Sequence, residues 1–150
     1  GPLISNSATA VATAASATAI ATMTIASFAL GAVWHGPLFG KLWMRIHHGD
    51  KIPSDAQMKM MMAGMWKIML AEFVATFIMV MTLAFLIKML PSMSGMHIAL
   101  LVWFGYVLPT MTSTVIWGAD MKKYMCTKIA VSSVCRLLGL LATGYVLAMW

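Results

Sequence analysis

The sequence predicts an all-α fold, a four-helix transmembrane bundle, from three observations. Only 9% of the 150 residues are charged and 61% are hydrophobic, whereas an average soluble domain carries about 25% charged residues. Four apolar runs each have the length of roughly 20 residues that a helix needs to cross the hydrocarbon core. The runs are continuous rather than alternating, which favours helix over strand. The chain is expected to form one domain, residues 1–150.

The first run, about residues 8–34, has no basic residue before it and is too long for the apolar core of a secretory signal. We therefore expect a retained helix, which Pro37 ends. Most of its residues are Ala, Ser and Thr, which make the helix weakly hydrophobic but let backbones approach closely. We expect this helix to be buried inside its own bundle or against another protein.

The residues after Pro37 are expected to form an amphipathic segment that lies in the membrane interface between the first two helices. Tryptophan, lysine and arginine favour this layer, where they contact lipid headgroups or a partner subunit. A bound phospholipid is compatible with such a set. The residues assigned to this role are Trp34, Lys41, Trp43, Arg45, Trp66, Lys67, Trp117, Lys122 and Lys123.

The second helix is expected over residues 68–87 and the fourth over 129–150. Each contains one charge, Glu72 and Arg136, at depths of roughly 8 and 12 Å from the same side at 1.5 Å per residue. A lone charge is costly in lipid, so we predict a buried Glu72–Arg136 ion pair. A structural pair is favoured over a proton or ion relay, because the far half of the bundle offers only His97 as a further ionisable group.

The third helix is expected over residues 96–117. Pro109 should bend or loosen it, and the nearby hydroxyls of Thr110, Thr112 and Ser113 are available to the freed carbonyls. The first and third helices both end in a tryptophan with a glycine close behind it, Gly36 after Trp34 and Gly118 after Trp117, which hints at a repeat of two hairpins.

Lysine and arginine are unevenly divided among the connections. The connection 35–67 carries five, the connection 118–128 carries three, and the connection 88–95 carries one. Four crossings place the first and third connections on one side of the membrane. The positive-inside rule then predicts that this side is the cytoplasm or the mitochondrial matrix, with both termini opposite.

Methionine is used 17 times, which raises a metal-binding alternative. Met61, Met65 and Met69 repeat every four residues on one helical face, and thioethers select Cu(I). His47 and His48 offer imidazole nearby. Because methionine also recurs throughout the chain and is a common apolar filler, we predict no metal and no cofactor, and keep a copper carrier as the alternative.

Two function classes are disfavoured. The net charge of +6 comes from residues that flank apolar runs rather than form one basic face, so a nucleic-acid partner is not expected. The chain has only four acidic residues, and it contains no nucleophile–base set, no carboxylate pair and no phosphate-binding glycine loop. We therefore predict that it is not an enzyme.

The stretch GAVWHGPLFGKLWM, starting at Gly31, resembles the G-x-x-W-x-x-P…F-G-x-x-W signature of a small membrane family. The stretch FGYVLPTMTSTVIWGADMKKY, starting at Phe104, is similar to a second segment of the same family. That family is catalogued only as a domain of unknown function with four helices. The resemblance implies the fold and no activity.

The favoured function is a non-catalytic accessory subunit of a larger membrane complex. The basic balance, the start at Gly1 rather than Met and the Ala/Ser/Thr-rich first helix fit a processed subunit of a mitochondrial respiratory or ATP synthase complex. Its expected partners are membrane lipids and other membrane subunits. The alternative is a small membrane transporter or metal carrier.

Overall fold

A computed structural model describes residues 2–48, 54–118 and 122–150, with side chains described from residue 16 and excluding 47 and 48. These ranges are helical and contain no strand, which confirms the predicted all-α class. The α-helices are α1 (Pro2–Val33), α2 (Gly40–His48), α3 (Asp55–Met62), α4 (Met65–Met89), α5 (Gly95–Val102), α6 (Leu108–Trp117) and α7 (Met125–Met149).

Four stretches of the described chain are long and apolar enough to cross a membrane, which is consistent with an integral membrane protein. They are Ser16–Leu38, Met65–Met89, Gly95–Trp117 and Lys122–Met149. The second and fourth helices begin earlier than the sequence predicts. Lys67 and Lys88 lie inside α4 rather than beside it, because a helix satisfies its own backbone hydrogen bonds and need not end where the hydrocarbon ends.

The described part of the connection between the first two spans contains two short helices, α2 and α3. Helix α2 follows α1 after a turn at Trp34–Leu38. Helix α3 begins with a capping box, in which the Ser54 hydroxyl accepts from the Gln57 backbone N–H and the Gln57 side chain accepts from the Ser54 N–H. Such reciprocal bonds satisfy backbone donors that the first turn leaves free.

Helix α7 lies at the centre of the bundle and packs against α1, α4, α5 and α6. Its closest neighbour is α5, because Gly95 and Gly144 face each other without side chains. A methyl group on either glycine would collide with the carbonyl oxygen of the other. Beside this contact, Leu83 of α4, Ile98 and Ala99 form the buried core. Small residues at such crossings bring membrane helices close enough for dense packing.

Two π-helical turns interrupt the first and third spans, at Trp34–Leu38 and Trp103–Val107. Each is closed by an N–H that reaches back five residues, from Phe39 to the Trp34 carbonyl and from Leu108 to the Trp103 carbonyl. Proline clashes with the carbonyl four residues before it, and the wider turn relieves this clash. Pro37 lies inside the first turn, so the helical path continues to Leu38 instead of stopping at proline as expected.

Pro109 lies just after the second π-helical turn. Of the three hydroxyls expected to bond the freed carbonyls, that of Thr112 donates to the Leu108 carbonyl. The wider turn at Trp103–Val107 accommodates Pro109.

Candidate functional site

The two basic connections lie at the same end of the bundle, which we call the basic end. Helix α2 contacts the start of α7, where the Lys128 ammonium lies 6.0 Å from the centre of the Trp43 ring. Cations are attracted to the face of an aromatic ring at this range. The contact joins the connection after α1 to the connection before α7.

Trp34 ties the end of α1 to α7. Its indole N–H donates to the Val131 carbonyl oxygen, with an Nε1···O distance of 2.9 Å. Its ring also packs on Phe39, with centroids 4.7 Å apart. Trp34 was expected to contact headgroups, but the structure places its polar group against the α7 backbone. An indole N–H needs a partner away from water, and the α7 carbonyl supplies one.

His35 and Trp43 form the second half of the same corner. The His35 ring nitrogen Nδ1 lies 3.0 Å from the Gly31 carbonyl oxygen, and the His35 ring meets the Trp43 ring edge-on at 4.5 Å. On α2, Ile46 is fully buried. The residues of the G-x-x-W-x-x-P…F-G-x-x-W pattern therefore build the corner between α1 and α2 and fasten it to α7.

The remaining residues assigned to headgroups or a partner are exposed at the basic end. Trp66 and Trp117 are among the most exposed aromatic side chains of the described chain, and the Lys67 ammonium lies over the Trp66 ring at 5.6 Å. The Lys123 ammonium lies over the Tyr124 ring at 4.9 Å. The other members of the set with exposed side chains are Lys41, Arg45 and Lys122.

Trp103 repeats the role of Trp34. Its indole N–H donates to the Ser133 carbonyl oxygen at 2.8 Å, two residues beyond the carbonyl that Trp34 contacts. Both tryptophans begin a π-helical turn with glycine two positions later. The sequence comparison paired Trp34 with Trp117, whereas the structure pairs it with Trp103. The W-x-G spacing ahead of a proline was the available signal.

The structure brings Glu72 and Arg136 together. The Arg136 Nη2 donates to Glu72 Oε1 at 2.7 Å, and Nη1 lies 4.0 Å from the Met79 sulfur. Glu72 belongs to α4 and Arg136 to α7, so the pair bridges two neighbouring helices. An ion pair with this geometry lowers the free energy of holding either charge at membrane depth.

The pair is not enclosed as predicted. The Glu72 side chain is 47% exposed and the Arg136 side chain 32% exposed. Helix α4 packs mainly against α1 and also against α7 and α5, whereas α6 packs mainly against α7. The third span therefore does not close over the pair along its whole length. The charges lie at the bundle surface, where lipid, water or another protein is their neighbour.

The proposed copper face is interrupted. Met61 lies in α3 and Met65 and Met69 lie in α4, with the turn at Ala63–Gly64 between them. The side chains of His47 and His48 lie outside the described part of the chain. Among the described residues there is no group of three His, Cys, Asp or Glu side chains that is placed to hold a metal. The copper alternative gains no support from this arrangement and stays a prediction.

The sequence predicts that α1 is buried inside the bundle or against another protein, and within this chain its outer face is exposed. Only Ala19, Met23 and Thr24 are buried in its described part. The opposite side presents mainly alanine and threonine, and only Ile25 and Val33 are large exposed hydrophobic residues there. The exposed small residues of this face are Thr18, Ala21, Thr22, Ala26, Ala29 and Ala32.

A comparison with known protein families identifies the family of this chain. The family described as "Protein of unknown function (DUF1761)" matches residues 18–148, which is most of the chain. The chain belongs to the DUF1761 family. This match confirms the resemblance to a catalogued domain of unknown function. Among curated proteins and among solved structures nothing matches. The DUF1761 match spans both π-helical turns and both members of the Glu72–Arg136 pair.

Proposed function

We propose that the protein is a non-catalytic subunit that assembles with another membrane protein. The observation that carries this proposal is the exposed alanine and threonine face of α1. A helix that faces lipid usually presents large apolar side chains, whereas small residues are typical of helix–helix contacts in membranes. The exposed face of α1 therefore has the composition of an interface, and most of it is not covered by the described part of its own chain.

Helix α4 provides the internal reference for this argument. It presents a long series of large apolar side chains to its surroundings, among them Leu70, Val74 and Phe85. That composition suits lipid. Because both helices belong to one bundle in one membrane, the difference between their outer faces supports different neighbours for α1 and α4.

The inner side of α1 explains how the helix is held while its outer face remains available. Ser27 shares a hydrogen bond with Thr143 at 3.3 Å between the hydroxyl oxygens, and Phe28 packs edge-on against Phe73 with centroids 5.5 Å apart. These contacts fix α1 on α7 and α4. A partner helix would dock on a positioned surface and would not need to order it.

The specific setting that we propose is the mitochondrial inner membrane, in a respiratory or ATP synthase complex, with the basic end in the matrix. The net charge of +6 and the Ala/Ser/Thr-rich α1 support this setting. Protease protection of tagged termini in isolated mitochondria tests it. Both termini should be cleaved once the outer membrane is opened, and protection of either one contradicts the orientation.

The assembly itself is tested with a matched pair of substitutions. Ala29 on α1 and Ala75 on α4 are both exposed alanines. We expect Ala29→Leu to reduce the amount of co-purifying protein in mild detergent by about tenfold, because overpacking a close contact costs roughly 1–3 kcal/mol. Ala75→Leu should leave it unchanged. Mass spectrometry and native gels provide the readout.

Two results would refute the proposal. The first is purification of the wild-type protein from its native membrane without any co-purifying protein, because no assembly then exists. A co-purifying protein whose yield responds to Ala75→Leu but not to Ala29→Leu docks on α4 instead, and the argument from the α1 face is then wrong.

A further inference from the structure

The Glu72–Arg136 pair has hydrogen-bonding capacity that the described part of the chain does not use. A guanidinium carries five N–H donors and a carboxylate has two acceptor oxygens. Among the described residues, Arg136 reaches only Glu72 Oε1 at 2.7 Å and the Met79 sulfur at 4.0 Å. The second Glu72 oxygen and most of the guanidinium donors therefore have no partner among the described residues, and both side chains are partly exposed.

The unused donors of Arg136 and the unused acceptor of Glu72 lie at a membrane depth where unsatisfied charges are costly. Glu72 is five residues beyond Lys67 and Arg136 is eight beyond Lys128, which places them roughly 8 and 12 Å inside those lysines along their helices. The neighbouring α4 side chains Ile68 and Met69 are exposed and apolar. A partner that supplies both a cation and an anion would satisfy the pair fully.

We propose that this partner is a second copy of the same chain, bound across a twofold axis that runs along the membrane normal. Both copies insert with the same orientation, since the same basic connections determine it. The pair bridges two neighbouring helices at similar depth, so its two charges are separated in the plane of the membrane. A twofold rotation about the membrane normal then sets the glutamate of each copy opposite the arginine of the other.

Net charge favours this occupant over an anionic lipid headgroup. The pair is neutral, so it offers no net attraction to phosphate, whereas a copy of itself is complementary at both positions. The four charges form a closed square with two bonds within chains and two between them. The flanking methionine Met69 has a flexible side chain that adapts to an apposed surface. This surface on α4 and α7 is separate from the outer face of α1, so the inference does not depend on the proposed function.

The charge arrangement allows a selective test with two variants of the full-length chain. A chain with Glu72→Arg has two positive groups at the site, and a chain with Arg136→Glu has two negative groups. Each variant alone should lose its dimer, because all four facing charges then have one sign. The two variants expressed together with different tags should form mixed dimers, at least about tenfold enriched over either variant paired with itself.

Cross-linking in native membranes keeps the test decisive if a charge variant fails to fold. Ile68 lies one turn from Glu72 and Leu70 lies on the other side of α4, and their exposed fractions are similar, 63% and 56%. In a Cys126→Ser background, Ile68→Cys should form a disulfide-linked dimer with a mild oxidant. Leu70→Cys is the matched control and should not.

Several outcomes would overturn the inference. One is a monomeric wild-type chain in nanodiscs together with equal cross-linking of the Ile68→Cys and Leu70→Cys variants. Another is a wild-type dimer that survives both charge variants, since it would use another face. A third is loss of a bound phospholipid, rather than of a second copy, on substitution of Arg136. A failure at the α1 face leaves the dimer intact, and a failure of the dimer leaves co-purification of another protein intact, so the two proposals are distinguishable.

Discussion

Helices α4 and α7 have the same length of 25 residues and opposite roles in the bundle. Helix α4 belongs to the span of highest mean hydropathy, yet only Thr76, Val80 and Leu83 of its residues are buried. Helix α7 is less hydrophobic and has seven buried residues, including two serines, a threonine and a glycine. In a membrane, large apolar side chains are favourable on the lipid-facing surface of a bundle. Small residues are favourable at its centre because they allow helices to pack closely.

The largest expected change in stability distinguishes the buried side of α4 from its exposed side. Leu83 is buried in the core and Leu70 is exposed on the outer side. We expect Leu83→Ala to lower the free energy of unfolding in detergent by about 3 kcal/mol, because it leaves a cavity. Leu70→Ala should change it by less than about 0.5 kcal/mol. Similar losses for both variants would mean that the outer side of α4 is covered as well.

The next effect tests close packing at α7. A methyl group at Gly144 would meet the Gly95 carbonyl, whereas one at Gly31 would meet nothing within 4 Å. We expect Gly144→Ala to destabilise the fold by about 2 kcal/mol through overpacking. Gly31→Ala is the same chemical change in α1 and should be neutral or slightly stabilising. Thermal unfolding of the two variants side by side measures the difference.

A smaller effect concerns the carbonyls of α7 that accept from tryptophan. Trp34→Phe and Trp103→Phe each remove one indole N–H and keep most of the ring. Each should cost about 1 kcal/mol of unfolding free energy, the usual net value of one hydrogen bond. Trp117→Phe, at an exposed position, is the control. If Trp103→Phe behaves like this control, the bond to Ser133 does not stabilise the bundle.

The smallest effect concerns the hydroxyl pair that joins α1 to α7. Ser27→Ala or Thr143→Val should lower the unfolding free energy by about 0.6 kcal/mol, the average for hydrogen bonds between membrane helices. The double variant should cost less than the sum of the two, because both remove the same interaction. Strict additivity would show that Ser27 and Thr143 act independently.

Continuous hydropathy predicted the number of spans and the all-α class correctly, because crossing a bilayer demands a long apolar helix whatever its neighbours are. Pairing of Glu72 with Arg136 was predictable for a similar reason, since their depths follow from distance along each helix. Their exposure was not predictable. It depends on how far the third span covers α4, which is a matter of packing between segments distant in sequence.

Tertiary packing determined contacts of Trp34 and α1 that hydropathy could not predict. A tryptophan near a helix end is typical of the headgroup layer, but the π-helical turn aims the Trp34 indole at α7. Small residues along α1 predicted burial inside the bundle or against another protein. The bundle buries one side of α1, and burial of the other side against another protein stays a prediction. In both cases the composition indicated the kind of surroundings that the side chains favour. The packing of neighbouring helices determined which contacts they make.

By itself the sequence determined the four apolar spans, the gathering of basic residues in two connections and the depth of the two intramembrane charges. These features depend on local composition and on the rise of 1.5 Å per residue in a helix. Only the tertiary structure decided that α7 is central, that Trp34 and Trp103 donate to its backbone and that the outer face of α1 is exposed in the described part of the chain. Those features depend on close contacts between distant segments, which side-chain size and helix geometry fix together.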